Sequence, residues 1–139
     1  MLDPTNPVVI LCAQGMEKEV AAPQEAMALF LQAWNKAATD LEKATAAHYV
    51  ARHQPSPADK LEWDITALQH ATAAIDAEDA KPLLPSLYLN VAKGYEDTGA
   101  RTKAGEYYRM SLAHAAVLPD DGYGAMIRKG IAAGLQRVI

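Results

Sequence analysis

Apolar side chains recur along this chain at intervals of three and four residues, the spacing that gathers them on one face of an α-helix. Val8, Leu11, Cys12 and Met16 form the first stripe, behind Asn6-Pro7, where proline suits a first helical position. Ala26, Leu29, Phe30, Ala33 and Trp34 form the second, after a restart at Ala22-Pro23-Gln24. Thr39-Asp40-Leu41-Glu42 is a capping box, in which a hydroxyl and a carboxylate satisfy free helix donors. The third helix it opens runs to about Gln54, with Leu41, Ala44, Ala47 and Ala51 as its packing stripe. Ser56-Pro57-Ala58-Asp59 starts a fourth, which carries Leu61, Trp63, Ala67, Leu68 and Ala71.

The clearest periodicity lies in residues 86–112. Tyr88, Val91, Ala92 and Tyr95 precede a turn at Gly99, and Ala104, Tyr107, Tyr108, Ser111 and Leu112 follow it. Glycine turns left-handed at a helix end without a Cβ clash, so Gly99 marks the stop. Small Ala92 and Ala104 let two antiparallel helices approach between aromatic plugs. Beyond Pro119, Asp120-Asp121 caps a seventh helix with Met126, Ile127, Ile131, Leu135 and Val138 on its apolar face. Gly130 and Gly134 on that helix permit close docking at some cost in helix propensity.

This central hairpin resembles a tetratricopeptide repeat. Tyr88 takes the place of the pattern's Trp, Val91-Ala92 that of its Leu-Gly pair, and Tyr95 that of its Tyr. Ala104 and Tyr108 take the Ala and Phe places, whereas Ser111 stands where Ala is usual. Ala26 and Phe30 repeat the Ala-x3-aromatic spacing. Leu29 and Trp63 lie 34 residues apart, the period of this repeat, as do Ala33-Trp34 and Ala67-Leu68. From Trp63 to Tyr107 the offset is 44, so about ten residues enter between the second and third repeats, at the acidic stretch Asp76–Asp79 before Pro82. The second repeat departs from the pattern, with Lys60 and Asp64 where small and aromatic residues belong.

The resemblance implies an all-α fold, a right-handed array of three helical hairpins with a C-terminal capping helix, about seven helices in one domain. The hairpins would cover about residues 6–38, 39–76 and 82–118, and the cap about 121–138. A solenoid's open end needs such a cap. The first helix of each pair lines the concave surface in this family. Thr45, Tyr49, Arg52 and His53 are therefore expected in the groove from the second repeat. Ser86, Leu89, Asn90, Lys93 and Asp97 join them from the third, and a one-residue shift of register exchanges His48 for Tyr49.

Composition narrows the function. A net charge of −4 and a pI near 5.5 argue against a nucleic-acid binder, which usually carries a basic face. Alanine makes up about a fifth of the 139 residues, which favours closely packed helices over sheet. The single cysteine, Cys12, excludes an internal disulfide and suits a reducing compartment. No basic, apolar leader opens the sequence, and the longest apolar run, Val8 to Ala13, is too short to span a bilayer. A cytoplasmic protein without a membrane partner is expected.

Chemistry is sparse. Gly122-Tyr123-Gly124 has no strand upstream, so it is not read as a phosphate loop. Asn6-Pro7-Val8 is too short a match to the active-site stretch of an adenine methyltransferase, and methyl transfer is not expected. His48, His53, His70 and His114 lack the spacing of zinc ligands, and Cys12 lies among apolar neighbours. No catalytic residue, metal or cofactor is assigned.

The expected function is that of a non-enzymatic adaptor, holding a protein or peptide in the concave groove through Tyr49, Arg52, His53, Asn90 and Lys93. Arg52 can meet a carboxylate with two hydrogen bonds and Lys93 adds a point charge, so an acidic segment or chain-terminal carboxylate is the expected ligand. Two other classes compete with it. One is a small-molecule sensor or enzyme using His53 (or His48) and Arg52. The other is a self-associating module, dimerising through the insertion or the capping helix.

Overall fold

Four of the helices in this protein begin where a side chain satisfies a free N–H group of the first turn, and those that start at Pro23, Leu84 and Arg101 do so without one. Asn6 accepts from the Val8 N–H at 2.8 Å, Ser56 from Asp59 at 3.1 Å, and Asp121 from Gly124 at 2.9 Å. The Thr39 hydroxyl accepts from the Glu42 N–H at 3.1 Å, while Glu42 accepts from the Thr39 N–H at 3.0 Å. The computed structural model describes residues 3–74 and 78–139. Its helices are α1 (Pro7–Lys18), α2 (Pro23–Lys36), α3 (Asp40–Ala51), α4 (Pro57–Ala73), α5 (Leu84–Asp97), α6 (Arg101–Ala113) and α7 (Gly122–Val138). Short 3-10 turns at Lys81–Leu83 and Ala115–Val117 precede α5 and follow α6. Among the described residues the fold is all-helical, and no helix is long and apolar enough to cross a membrane.

Termination is equally local. Gly99 has φ +88°, and the bonds Gly99 N–H to Glu96 C=O and Ala100 N–H to Tyr95 C=O close a Schellman motif after α5. Helix α3 stops at Ala51, three residues short of the expected end at Gln54. Gln54 precedes Pro55, which disfavours the helical region for it, and its side chain instead donates to the Val50 carbonyl at 3.1 Å. Of the acidic stretch expected to hold the insertion, Asp76 and Ala77 lie outside the described residues. Glu78 and Asp79 fall in the turn that leads to Pro82.

The helices pack as three antiparallel pairs, α1 with α2, α3 with α4, and α5 with α6. Successive pairs join through α2 on α3 and α4 on α5, with α1 beside α3. Helix α7 rests on α6 and beside α5, the place that the first helix of a further pair would take. Ala26, Phe30, Ala33, Val50, Ala67, Ala71, Val91, Ala92, Ala104 and Tyr108 are fully buried at these contacts. Alanine at the crossings lets the backbones close around a few large side chains.

Ser111, the departure from the repeat pattern, is also buried, and its hydroxyl donates to the Pro85 carbonyl at 2.6 Å. The serine thus fastens α6 to the start of α5. Asp64, where the other hairpins place Phe30 and Tyr108, is 1% exposed. Lys60 donates to its Oδ2 at 2.6 Å, Oδ1 has no protein partner, and burial pushes the carboxyl pKa up. Leu112 and Met126, expected on apolar faces, are 55% and 61% exposed. Each lies about 100° around its helix from a buried neighbour, Ser111 and Ile127, so neither faces the packed side.

The cap is held by one tight contact and a polar clasp. A Cβ on Gly134 would stand 2.2 Å from Cε1 of the buried Tyr108 ring. The Tyr108 hydroxyl donates to Glu96 at 2.7 Å, and Arg137 donates to the same carboxylate at 2.8 Å. Arg101 reaches the carbonyls of Arg137 and Ile139 at 2.7 and 2.8 Å. Gly134→Ala should therefore lower stability by about 2 kcal/mol, because overpacking outweighs the gain in helix propensity. Denaturant unfolding checks this, and a neutral or stabilising result would show that α7 does not dock on Tyr108.

Candidate functional site: an apolar groove on the concave side

Tyr49 lies in the wall of a groove bounded by α1, α3 and the start of α7. Its ring stacks on Phe30 at 5.3 Å between centroids and meets the edge of His48 at 5.0 Å, while the Arg52 guanidinium lies 5.7 Å over it. Tyr49 and Thr45 project from α3 into a groove of about 750 Å3. Val9, Cys12 and Met16 of α1 form one wall. Leu41, Pro82 and Leu83 continue it toward α5, and Pro119, Asp121 and Tyr123 close it at the start of α7. This size falls within the range of pockets that enclose small ligands or peptide side chains. A second hollow, bounded by Trp34, Glu62, Trp63 and Thr66, measures only about 280 Å3.

The far wall is rigidly placed. Arg128 donates to the carbonyls of Leu118 at 3.0 Å and Pro119 at 3.2 Å, and Asp121 caps α7. A Cβ on Gly124 would stand 1.9 Å from the Pro119 oxygen, so only glycine allows the chain to turn this closely. The turn presents Tyr123, 45% exposed, opposite Met16, 42% exposed, across the groove. At the near end the Asn6 amide donates to Glu42 at 2.8 Å and ties the start of α1 to α3. Hydrogen bonds from Asn6, Ala38 and Thr39 hold the Glu42 carboxyl down at about 2.

Of the five side chains expected to bind a ligand, Arg52, His53 and Asn90 connect to Tyr49 directly or through Phe30 and His48, and Lys93 stands apart. Arg52 and His53 both meet Glu19, through Nε at 3.2 Å and Nε2 at 2.7 Å, and so clamp the end of α3 to the turn after α1. Asn90 approaches His48, with 3.4 Å between Nδ2 and Nδ1, a long contact. Lys93 pairs with Asp97 on its own helix at 2.5 Å. Only Tyr49 of the five is in the groove wall. On the third hairpin α7 also covers Leu89, which packs beside Gly130. Ser86 is also turned inward, donating to the Leu83 carbonyl at 3.1 Å.

Val9, Met16, Leu83 and Tyr123 are wall residues that helical periodicity alone did not single out for binding. Met16 reads as core from its spacing, and Tyr123 depends on the fold of the Pro119–Gly124 turn. Cys12 is buried in the same wall, and burial pushes its thiol up to about 12. Among the described residues no group of three or more His, Cys, Asp or Glu side chains is placed to hold a metal ion. The fold and groove together define a helical-hairpin array with an apolar concave channel. No protein-family model, curated protein or solved structure matches the chain.

Two expectations follow from the electrostatics. Cys12, protonated and enclosed, should react with a charged aromatic disulfide at pH 8 at least about 100-fold more slowly than in denaturant. Equal rates would show that the α1 wall is open. His48 is held down to about 4 by burial and by the nearby Arg52 and Lys60, whereas an unfolded histidine titrates near 6.5. Its contribution to stability is then fully present above pH 6.5 and is lost as pH falls toward 4. The wild type should lose more stability across that window than His48→Gln, as read by denaturant unfolding at both ends; parallel losses would contradict the assignment.

Proposed function

We propose that this protein is a non-enzymatic adaptor that holds a peptide segment of a partner protein in its concave groove. The observation that carries this reading is the groove of about 750 Å3, with apolar walls drawn from α1, α3 and the start of α7. An apolar channel with preformed walls loses little side-chain entropy when apolar anchors enter it, so binding energy is not spent on ordering the site. Affinity on the order of micromolar, about −8 kcal/mol, suits a groove of this size with a few anchors. The match of Tyr88, Ala92, Tyr95, Ala104 and Tyr108 to the tetratricopeptide pattern supports the reading by analogy. The single free thiol suits a cytoplasmic setting.

Catalysis is the weaker alternative on physical grounds. A thiol raised to about 12 is not a nucleophile near neutral pH. Arg52 and His53 already share Glu19, so a His/Arg pocket would have to break that clamp before meeting substrate. Lys93 is likewise neutralised by Asp97. Recognition by apolar contact needs neither rearrangement.

The test is a peptide-display selection against the wild type, followed by binding to Met16→Lys/Tyr123→Ala. Both positions are substantially exposed, so the melting temperature should change by no more than a few degrees. Selected peptides should carry apolar anchors and lose at least about tenfold in affinity for the double variant. Binders that ignore both substitutions would place recognition elsewhere on the molecule.

A further inference from the structure

We infer that the groove selects a peptide whose apolar anchors are flanked by lysine or arginine; this rests on the peptide-groove reading above and names the partner's chemistry. Among the described residues lining the groove there is no lysine, arginine or histidine. Its charged wall groups are Asp79 and Asp121. Asp3 adjoins Pro4 at one edge of the groove, and Asp120 adjoins Asp121 at the opposite edge. All of Asp3, Asp120 and Asp121 are exposed, and none is in an ion pair with a described lysine or arginine.

Three cations of the neighbouring helices are paired with carboxylates. Arg52 is held by Glu19, Arg137 by Glu96 and Lys93 by Asp97. Arg128 donates to the carbonyls of Leu118 and Pro119, which keeps its charge at the Asp120–Asp121 edge, and Lys81, beside Pro82, pairs with Glu78 at 4.0 Å. The starts of α1, α3 and α7 do contribute about half a positive charge each at this rim. Glu42 outweighs the α3 half-charge and Asp3 that of α1, while at the other edge Asp120 and Asp121 together exceed the α7 half-charge and Arg128. The groove mouth is therefore negative, in a chain whose net charge is already −4. An acidic ligand would meet repulsion at the rim and would gain no free cation in the wall. A basic flank gains attraction at both edges while its apolar residues fill the channel between Met16 and Tyr123.

The experiment uses three synthetic peptides with one shared leucine-rich helical core and lysine, serine or glutamate flanks, titrated against the full chain by fluorescence anisotropy. At low salt the lysine-flanked peptide should bind on the order of tenfold tighter than the glutamate-flanked one. The gap should shrink as salt rises, because exposed charges are screened within about 10 Å at 0.1 M. Asp120→Asn/Asp121→Asn removes the rim charge while asparagine keeps the α7 cap, and should cut the preference to about threefold or less. A preference for glutamate flanks, or equal binding of all three at low salt, would overturn the basic-flank inference and leave the peptide groove standing. Binding by none of the three would overturn both. A lysine preference that survives the Asp120→Asn/Asp121→Asn change would also overturn it, since the rim would not be its source.

Discussion

Glycine set against a buried aromatic ring is the contact on which this fold depends. Within the first hairpin a Cβ on Gly15 would lie 2.3 Å from Phe30, and between α7 and α6 a Cβ on Gly134 would lie 2.2 Å from Tyr108. Both rings are fully buried. Each is a large side chain seated where the opposing helix offers only backbone, so helix separation and angle are fixed by steric fit rather than by general apolarity. The second hairpin lacks this device. Asp64 occupies the aromatic's place and relies on Lys60 for compensation, with one oxygen left unpartnered. A buried carboxylate with an unpartnered oxygen is costly, and the middle hairpin carries that cost.

The second organising feature is the way charges are consumed. Glu19 takes Arg52 and His53, Glu96 takes Arg137 and the Tyr108 hydroxyl, and Glu42 takes Asn6 together with the α3 cap. Each carboxylate joins segments distant in sequence, α1 to α3 or α5 to α7. Exposed pairs of this kind add little stability singly, but they fix which helix ends meet. No lysine, arginine or histidine is among the described residues that line the groove.

Helix starts, the Gly99 turn, the small residues at crossings and the seven-helix all-α class were legible in the sequence, because each is set within one or two turns of chain. Thr39 and Glu42 specify a cap whatever surrounds them, and Gly99 can adopt positive φ where other residues are strained. The aromatic at Tyr108 and its glycine at Gly134 were likewise visible as a large and a small residue at core spacing.

The binding surface was not legible to the same degree, and the reason is steric. Asn90 and Lys93 lie on α5, and Arg52 and His53 follow the end of α3, at positions that helical periodicity assigned to the groove. Which of them reaches the groove depends on Glu19 closing on α3, Asp97 closing on Lys93, and α7 folding across Leu89. The Lys93–Asp97 pair is an i,i+4 spacing visible in the sequence, but the other two join segments tens of residues apart, and one-dimensional spacing carries no term for them. The sequence by itself determined the helices, their ends and the small-against-large pattern that lets them pack. The tertiary structure alone decided that Val9, Met16 and Tyr123 join Tyr49 in the groove wall, since only the docked position of α7 brings its first turn across from α1.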